Sequence, residues 1–223
     1  MIVMSFDLSS SCIGLVVAEI KPSGKISKMR SCPIIPQPFS AETLGYMKSK
    51  KKVELRDGNS IMSYMRPGES KISKAEKKRR DMEVRASKNI AVLQNISRTM
   101  NDLVSSIRPD LIIVEKNEIF NGVLTSVLLG EVMGTLVSIS GIHSIPLNEF
   151  RVSQVRTVFN ISELIKALKS RYSEDFIEHL PDVTKRAIRD HLADVYKDTG
   201  VTFQTDDESD ACAVFHYWYT KIR

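Results

Sequence analysis

Residues 2–6, Ile-Val-Met-Ser-Phe, are apolar but for one serine, and the run stops at Asp7. Small hydroxyl residues follow, and then a second apolar run from Gly14 to Ile20. Two such runs, rich in β-branched residues and joined by a turn, predict adjacent strands with a buried interior. The acid at the junction has an ordinary explanation, because Asp and Ser bond their own backbone in turns. Whether it does more depends on where the other acids of the chain fall.

Further along, "KISKMRSCPIIP" predicts a third strand closed by Pro33 and Pro36. Residues from about 37 to 80 are expected to form an insertion, with Gly45, Gly58, Pro67 and Gly68 and little periodicity before residue 74. A helix is expected from there to about residue 107, ended by Pro109. Its Ile90, Leu93, Ile96, Met100, Leu103 and Ile107 recur at helical spacing and predict one core face. Leu111 to Val114 are four consecutive apolar residues that suit a strand buried on both faces, ending on Glu115. A helix over "VLTSVLLGEVMGTLVSIS" follows, with Gly130 and Gly134 expected where it packs closely on the sheet. Then come a short strand over "IHSIPL", helices near residues 162–179 and 182–197, and Gly200 as a C-terminal stop.

At 223 residues and 42% hydrophobic content the chain can bury a real core, and one domain spanning 1–223 is expected. Cys12, Cys32 and Cys212 are odd in number and far apart, which fits a reducing compartment and neither a disulfide set nor a zinc site. No apolar stretch approaches the length of a membrane span, and a cytoplasmic protein is expected. The four histidines have no metal-binding spacing, and His191 is expected at the surface. Phe215, Tyr217, Trp218 and Tyr219 are expected in the core.

The formal charge of +5 is unevenly spread: residues 48–88 hold 14 Lys/Arg against 6 Asp/Glu, a local net of +8 that leaves −3 for the rest. This tract suggests a polyanionic partner such as nucleic acid, or else a solvated face. The acids are also clustered. Asp7 and Glu115 end strands, and Asp206, Asp207, Glu208 and Asp210 crowd one helix start. Capping and the helix dipole account for one acid there, whereas several in one turn repel one another. A hard divalent cation would relieve that repulsion, since Mg²⁺ takes carboxylate oxygens, water and substrate phosphates.

In order and character, "FDLSSSCIGLVV", "IIVEKNEIFNGVLTSVLLGEVMGTL", "IPLNEFRVSQVRTVF" and "DESDACAVFHYW" resemble the RuvC family of Holliday-junction resolvases. The resemblance covers about residues 1–32, 88–159 and 183–218. It implies an α/β, ribonuclease-H-like fold: a five-stranded mixed sheet flanked by helices, here with the basic insertion after the third strand. It also implies a Mg²⁺-dependent homodimer, with Mn²⁺ as a substitute and two ions per site, that makes paired nicks in a four-way DNA junction. Carried over by position, Asp7, Glu115, Asp207 and Asp210 match the family's catalytic and metal-binding acids. Arg156 and Lys185 match basic residues near the scissile phosphate, and Ile119 and Phe120 match the segment set against the junction's bases. In the first motif Asp7-Leu8-Ser9 replaces the usual Asp-Pro-Gly, which suggests a divergent, viral or phage-type member.

The main alternative is a ribonuclease-H-like nuclease acting as a monomer on flaps, single strands or RNA–DNA hybrids. An actin-like kinase needs Gly-rich phosphate loops, and the chain's ten glycines form none. A catalytically dead DNA-binding module would have little reason to keep four mutually repelling acids. The apolar helix from about residue 123 to 140 is the expected dimer interface. Lys50, Lys51, Lys52, Lys77, Lys78, Arg79 and Arg80 are the expected DNA-binding residues of the insertion. Neutralising them should weaken affinity for all DNAs and flatten its salt dependence, by roughly 0.9 in slope for each duplex phosphate that is no longer neutralised. Binding titrations over a salt series read this, and an unchanged slope would place the tract away from DNA.

Overall fold

The computed structural model describes residues 1–8, 12–34, 74–116, 123–180 and 182–223, with side chains for all of these except 74–89 and 123–125. Two units emerge, Met1–Ile35 with Thr99–Arg223, and Pro36–Arg98. The first holds a sheet of five strands: β1 (Ile2–Asp7), β2 (Ile13–Ile20), β3 (Ile26–Ile34), β4 (Leu111–Lys116) and β5 (Leu147–Arg151). Their spatial order is β3-β2-β1-β4-β5. The N-terminal meander pairs antiparallel, whereas β1–β4 and β4–β5 are parallel, so the sheet is mixed.

Parallel neighbours need long crossovers. Helix α1 (Lys74–Ile107) precedes β4, and α2 (Val123–Ile142) links β4 to β5. After β5 come α3 (Val152–Arg156), α4 (Ile161–Arg171), α5 (Glu174–Glu178), α6 (Val183–Val195) and α7 (Asp206–Tyr217). Helix α7 lies over β2 and β1 and reaches β3 and β4. Its Ala211, Cys212, Val214 and Phe215 are fully buried and form one core with Val3, Val16, Ala18 and Ile113 from the sheet. Met4, Phe6, Ile112 and Val114, which alternate with these along β1 and β4, are equally buried, so both faces of the central strands are covered. Val132, Leu136 and Ile139 of α2 are buried as well. Among the described residues, no helix is long and apolar enough to cross a membrane.

Several local expectations shift. Among the described side chains of α1, Ile96, Met100 and Val104 are buried, while Ile90 is exposed. Gly130 and Gly134 do not pack on the sheet: a Cβ at either would meet nothing within 4 Å. The strand expected over "IHSIPL" begins later, at Leu147, because Ser144 caps α2 and pairing with β4 starts where Ile112 N–H donates to the Pro146 carbonyl at 2.9 Å. The helix expected near 162–179 breaks at the extended Tyr172, where the Ser173 hydroxyl caps α5 instead. His191 is half-buried, edge-on to Phe159 at 6.0 Å. Phe215, Tyr217 and Trp218 are core, as expected, and Gly200 stops its helical turn at φ 82°. None of the three cysteines is in a disulfide.

Helices α1 and α2 both end in the left-handed cap conformation, but not on glycine. Arg108 (φ 51°) donates its N–H to the Val104 carbonyl at 2.8 Å. At Ser144 (φ 53°), N–H bonds from Ser144 to the Gly141 carbonyl and from Ile145 to the Ser140 carbonyl complete a Schellman motif. A Cβ in this conformation costs roughly 1 kcal/mol that glycine does not bear. Arg108→Gly and Ser144→Gly should therefore each leave stability unchanged or raise it by up to about 1 kcal/mol in urea denaturation, against the usual loss for a glycine introduced elsewhere.

Candidate active site

The site is assembled where the first turn of α7 meets the end of β1. Gly14 of β2 pairs with Asp7, and a Cβ on Gly14 would lie 1.8 Å from the Asp207 carbonyl oxygen. Only glycine lets the helix start come this near the sheet. Two residues before Asp7, the buried Ser5 hydroxyl donates to the Ala211 carbonyl at 2.7 Å. Side chains two apart on a strand share a face, so Asp7 projects to the α7 side, as Ser5 does. Phe6 and Val114 are register partners in the parallel β1–β4 pair, which sets Asp7 and Glu115 level on neighbouring strands.

The four acids of the α7 segment divide by role. Glu208 is fully buried and completes a capping box: its Oε2 accepts the N–H groups of Gln204 and Thr205, both at 2.7 Å. Asp206 pairs with Arg189 of α6 at 3.1 Å. Asp207 and Asp210 remain for the sheet side. The Asp7 carboxyl registers the result, since its pKa is held well above the usual 3.8 by burial, then by the charges of Asp210, Glu115 and Asp207, with Lys185 alone opposing. Asp210 is raised too, by burial, against the pull of Lys185, whose Nζ is 2.5 Å from Asp210 Oδ2. At Lys185 desolvation pulls the pKa down, but the bond and charge of Asp210 together with the charges of Asp7 and Asp206 raise it. The Cys12 thiol is pushed up to about 11 by burial and by its hydrogen bond to Asp207.

Glu115, Asp210, Lys185 and Arg156 line one cleft of about 630 Å³, with Ser153 and Thr184 at its wall and Phe159 and Ile188 among its apolar residues. The six expected residues whose side chains are described thus meet: four lie in the cleft, and Asp7 and Asp207 belong to the same charge cluster. Among the described residues no three His, Cys, Asp or Glu side chains already stand in coordination geometry. The donor chemistry nevertheless fits a hard divalent cation: all-oxygen carboxylates, mutually repelling and short of positive charge. Lys50, Lys51, Lys52, Ile119 and Phe120 lie outside the described residues. Lys77, Lys78, Arg79 and Arg80 fall within α1, with their side chains outside the description. Gly14, Ser5, Glu208 and Arg189 were not legible as site-builders; only the Thr205–Glu208 spacing, a capping-box pattern, offered a signal.

No family model and no curated protein sequence matches the chain. Solved structures do. T. thermophilus RuvC in complex with Holliday junction substrate aligns at TM-score 0.52 and 11% identity, over 98% of this chain and 94% of that one. A further Thermus thermophilus RuvC structure gives 0.51 and 12%, over 98% and 95%. The yeast mitochondrial Holliday junction resolvase Ydc2 gives 0.46 and 9%, over 97% and 77%. On the two Thermus structures, the fold is the ribonuclease-H-like α/β fold of RuvC.

A carboxyl whose pKa is raised on folding works against the folded state above its ordinary pKa. At low pH it is protonated in both states and costs nothing; as pH rises from about 4 through the raised value, only the unfolded chain gains by ionising. The metal-free protein should therefore lose stability over that interval. Asp7→Asn should remove the loss, leaving the variant more stable than the parent at about pH 7 in EDTA and no more stable at about pH 4. Urea denaturation at the two pH values reads this; an Asn variant weaker than its parent at pH 7 would refute it.

Proposed function

We propose that the chain is a Mg²⁺-dependent, structure-selective DNA endonuclease that resolves four-way junctions. The observation that carries this reading is the Asp7 carboxyl on β1, repelled at once by Asp210 and Asp207 of α7 and Glu115 of β4 in a RuvC-type fold. Asp7, Glu115, Asp207 and Asp210 would hold the ions, two per site, with Mn²⁺ as a substitute. When bound, such ions activate water and stabilise the attacking and leaving oxygens of a phosphodiester. Arg156 and Lys185 would hold the phosphate in the cleft between the acids and the α6 start, where Lys185 is paired with Asp210. Val155, Phe159 and Ile188 narrow the cleft on its apolar side.

The reading extends to assembly, to domain organisation and to place. Two opposed strands must be cut, and one set of acids serves one scissile phosphate, so a two-fold dimer matches the symmetry of the junction. Helix α2 supplies the surface. Val127, Val137 and Ile142 are exposed beside Gly130, Gly134 and Gly141, where a Cβ would meet nothing within 4 Å. In this reading residues 1–223 are one nuclease domain carrying a basic insertion over about 37–80, and it works on branched DNA in the cytoplasm.

Asp7→Asn and Glu115→Gln should each abolish cleavage of a labelled four-way junction in Mg²⁺ while binding is kept, because affinity rests on many phosphate contacts. Either variant cutting at the parental rate would overturn the site. Flap and linear duplex in the same assay, with light scattering, separate the alternative: a monomer that nicks flaps and spares junctions.

A further inference from the structure

A second cleft, of about 580 Å³, opens at the other end of β4, where α1 and α2 finish. Val104 and Pro109 are buried in its floor, Ile145 and Pro146 flank it, and Ser105, Arg108, Asp110, His143 and Ser144 supply polar groups. Among the described residues, the two non-glycine residues with positive φ, Arg108 and Ser144, both line it. Glycine would serve either cap with less strain but would leave the cleft without these side chains. Strain of this kind concentrates at binding sites.

Arg108 is the one cation among the described residues of this lining, set against the carbonyl ends of α1 and α2, and it is the group an anion would meet. Asp110 is turned to β1, its Oδ2 accepting the Ile2 N–H at 2.6 Å. Arg108 is exposed and its side chain has no hydrogen bond or ion pair among the described residues, so its guanidinium keeps its donor capacity. His143 Nε2 stands 3.3 Å from Ser105 Oγ and 3.1 Å from Asn101 Oδ1, which leaves Nδ1 without a partner among the described residues. Both contacts use the same ring nitrogen. The group is therefore no Ser-His relay, which needs the nucleophile on one nitrogen and the orienting group on the other.

We propose that this cleft binds a phosphate group, with Arg108 as the charged anchor, Ser105 and Ser144 as hydrogen-bond partners, and His143 beside it as part of the lining. Its volume exceeds what a bare oxyanion fills and suits a nucleotide unit, whether a free mononucleotide or one phosphate of a DNA strand. The site lies at the opposite end of β4 from Glu115 and does not depend on the nuclease reading.

Histidine ring NMR on the full chain tests it, with the His143 signals assigned by their loss in His143→Gln. Inorganic phosphate, a deoxynucleoside monophosphate and a short single-stranded oligonucleotide are titrated to about 20 mM phosphate groups, enough to fill a millimolar site. Saturable movement of the His143 signals is expected, with affinity at least roughly tenfold weaker in Arg108→Gln, which loses the charge-assisted bonds. Arg108→Gly should remove the response while the protein stays folded and no less heat-stable without phosphate. Tighter binding of the mononucleotide or of the oligonucleotide identifies the source of the phosphate, and either result supports the site. Unmoved His143 signals with all three probes, or an undiminished response in Arg108→Gln, would overturn it.

Discussion

The contact between the start of α7 and β2 decides much of the molecule. A side chain at Gly14 would occupy the space of the Asp207 backbone, so helix and sheet meet there at backbone distance. The approach seats the Ser5 hydroxyl on the Ala211 carbonyl and lets Ala211, Cys212 and Val214 bury completely. The same seating delivers Asp207 and Asp210 to the end of β1. Packing and chemistry are thus fixed by one contact, and the hydrophobic burial along α7 holds like charges together at its first turn.

Charge is handled unevenly around that turn. Glu208 is absorbed by backbone N–H groups and Asp206 by Arg189. Asp7 and Asp210, raised by burial and by neighbouring carboxylates, have Lys185 to offset them. Carboxylates needed only for folding would be distributed as the first two are. The second arrangement leaves the folded protein short of cations at one point, and a ligand bearing positive charge gains whatever repulsion it relieves.

The sheet was largely readable from sequence because its signals are local and strong. Apolar runs of strand length marked β1, β2, β3 and β4, although Pro33, expected to close β3, lies inside it and pairs with Gly14; the two acids at strand ends marked the edge where carboxylates gather. What could not be read depends on partners distant in sequence. Gly14 looks like any strand glycine until Asp207 is set against it, and only the Thr205–Glu208 capping-box spacing separates Glu208, a cap, from Asp207 beside it. The Gly130 and Gly134 spacing is equally compatible with a sheet contact and with an open face; the structure shows the open face. In the 162–179 stretch, helical periodicity persisted through Tyr172, but the Ser173 cap competed successfully for the backbone.

Parallel pairing gives the sheet a polarity that separates its two clefts. In β1, β4 and β5 the chain runs the same way, so strand C-termini collect at one edge, and the ends of the crossover helices α1 and α2 collect at the other. Carboxylates at strand ends therefore meet each other, while the caps at Arg108 and Ser144 meet across the opposite cleft. The six residues of β4 span roughly 20 Å at about 3.3 Å each, against a screening length of about 8 Å at physiological ionic strength. The acidic field at Asp7 and the cation at Arg108 are consequently almost independent. Changing one leaves the other's electrostatics in place, and any coupling between ligands at the two edges would have to pass through the packing of β4 itself.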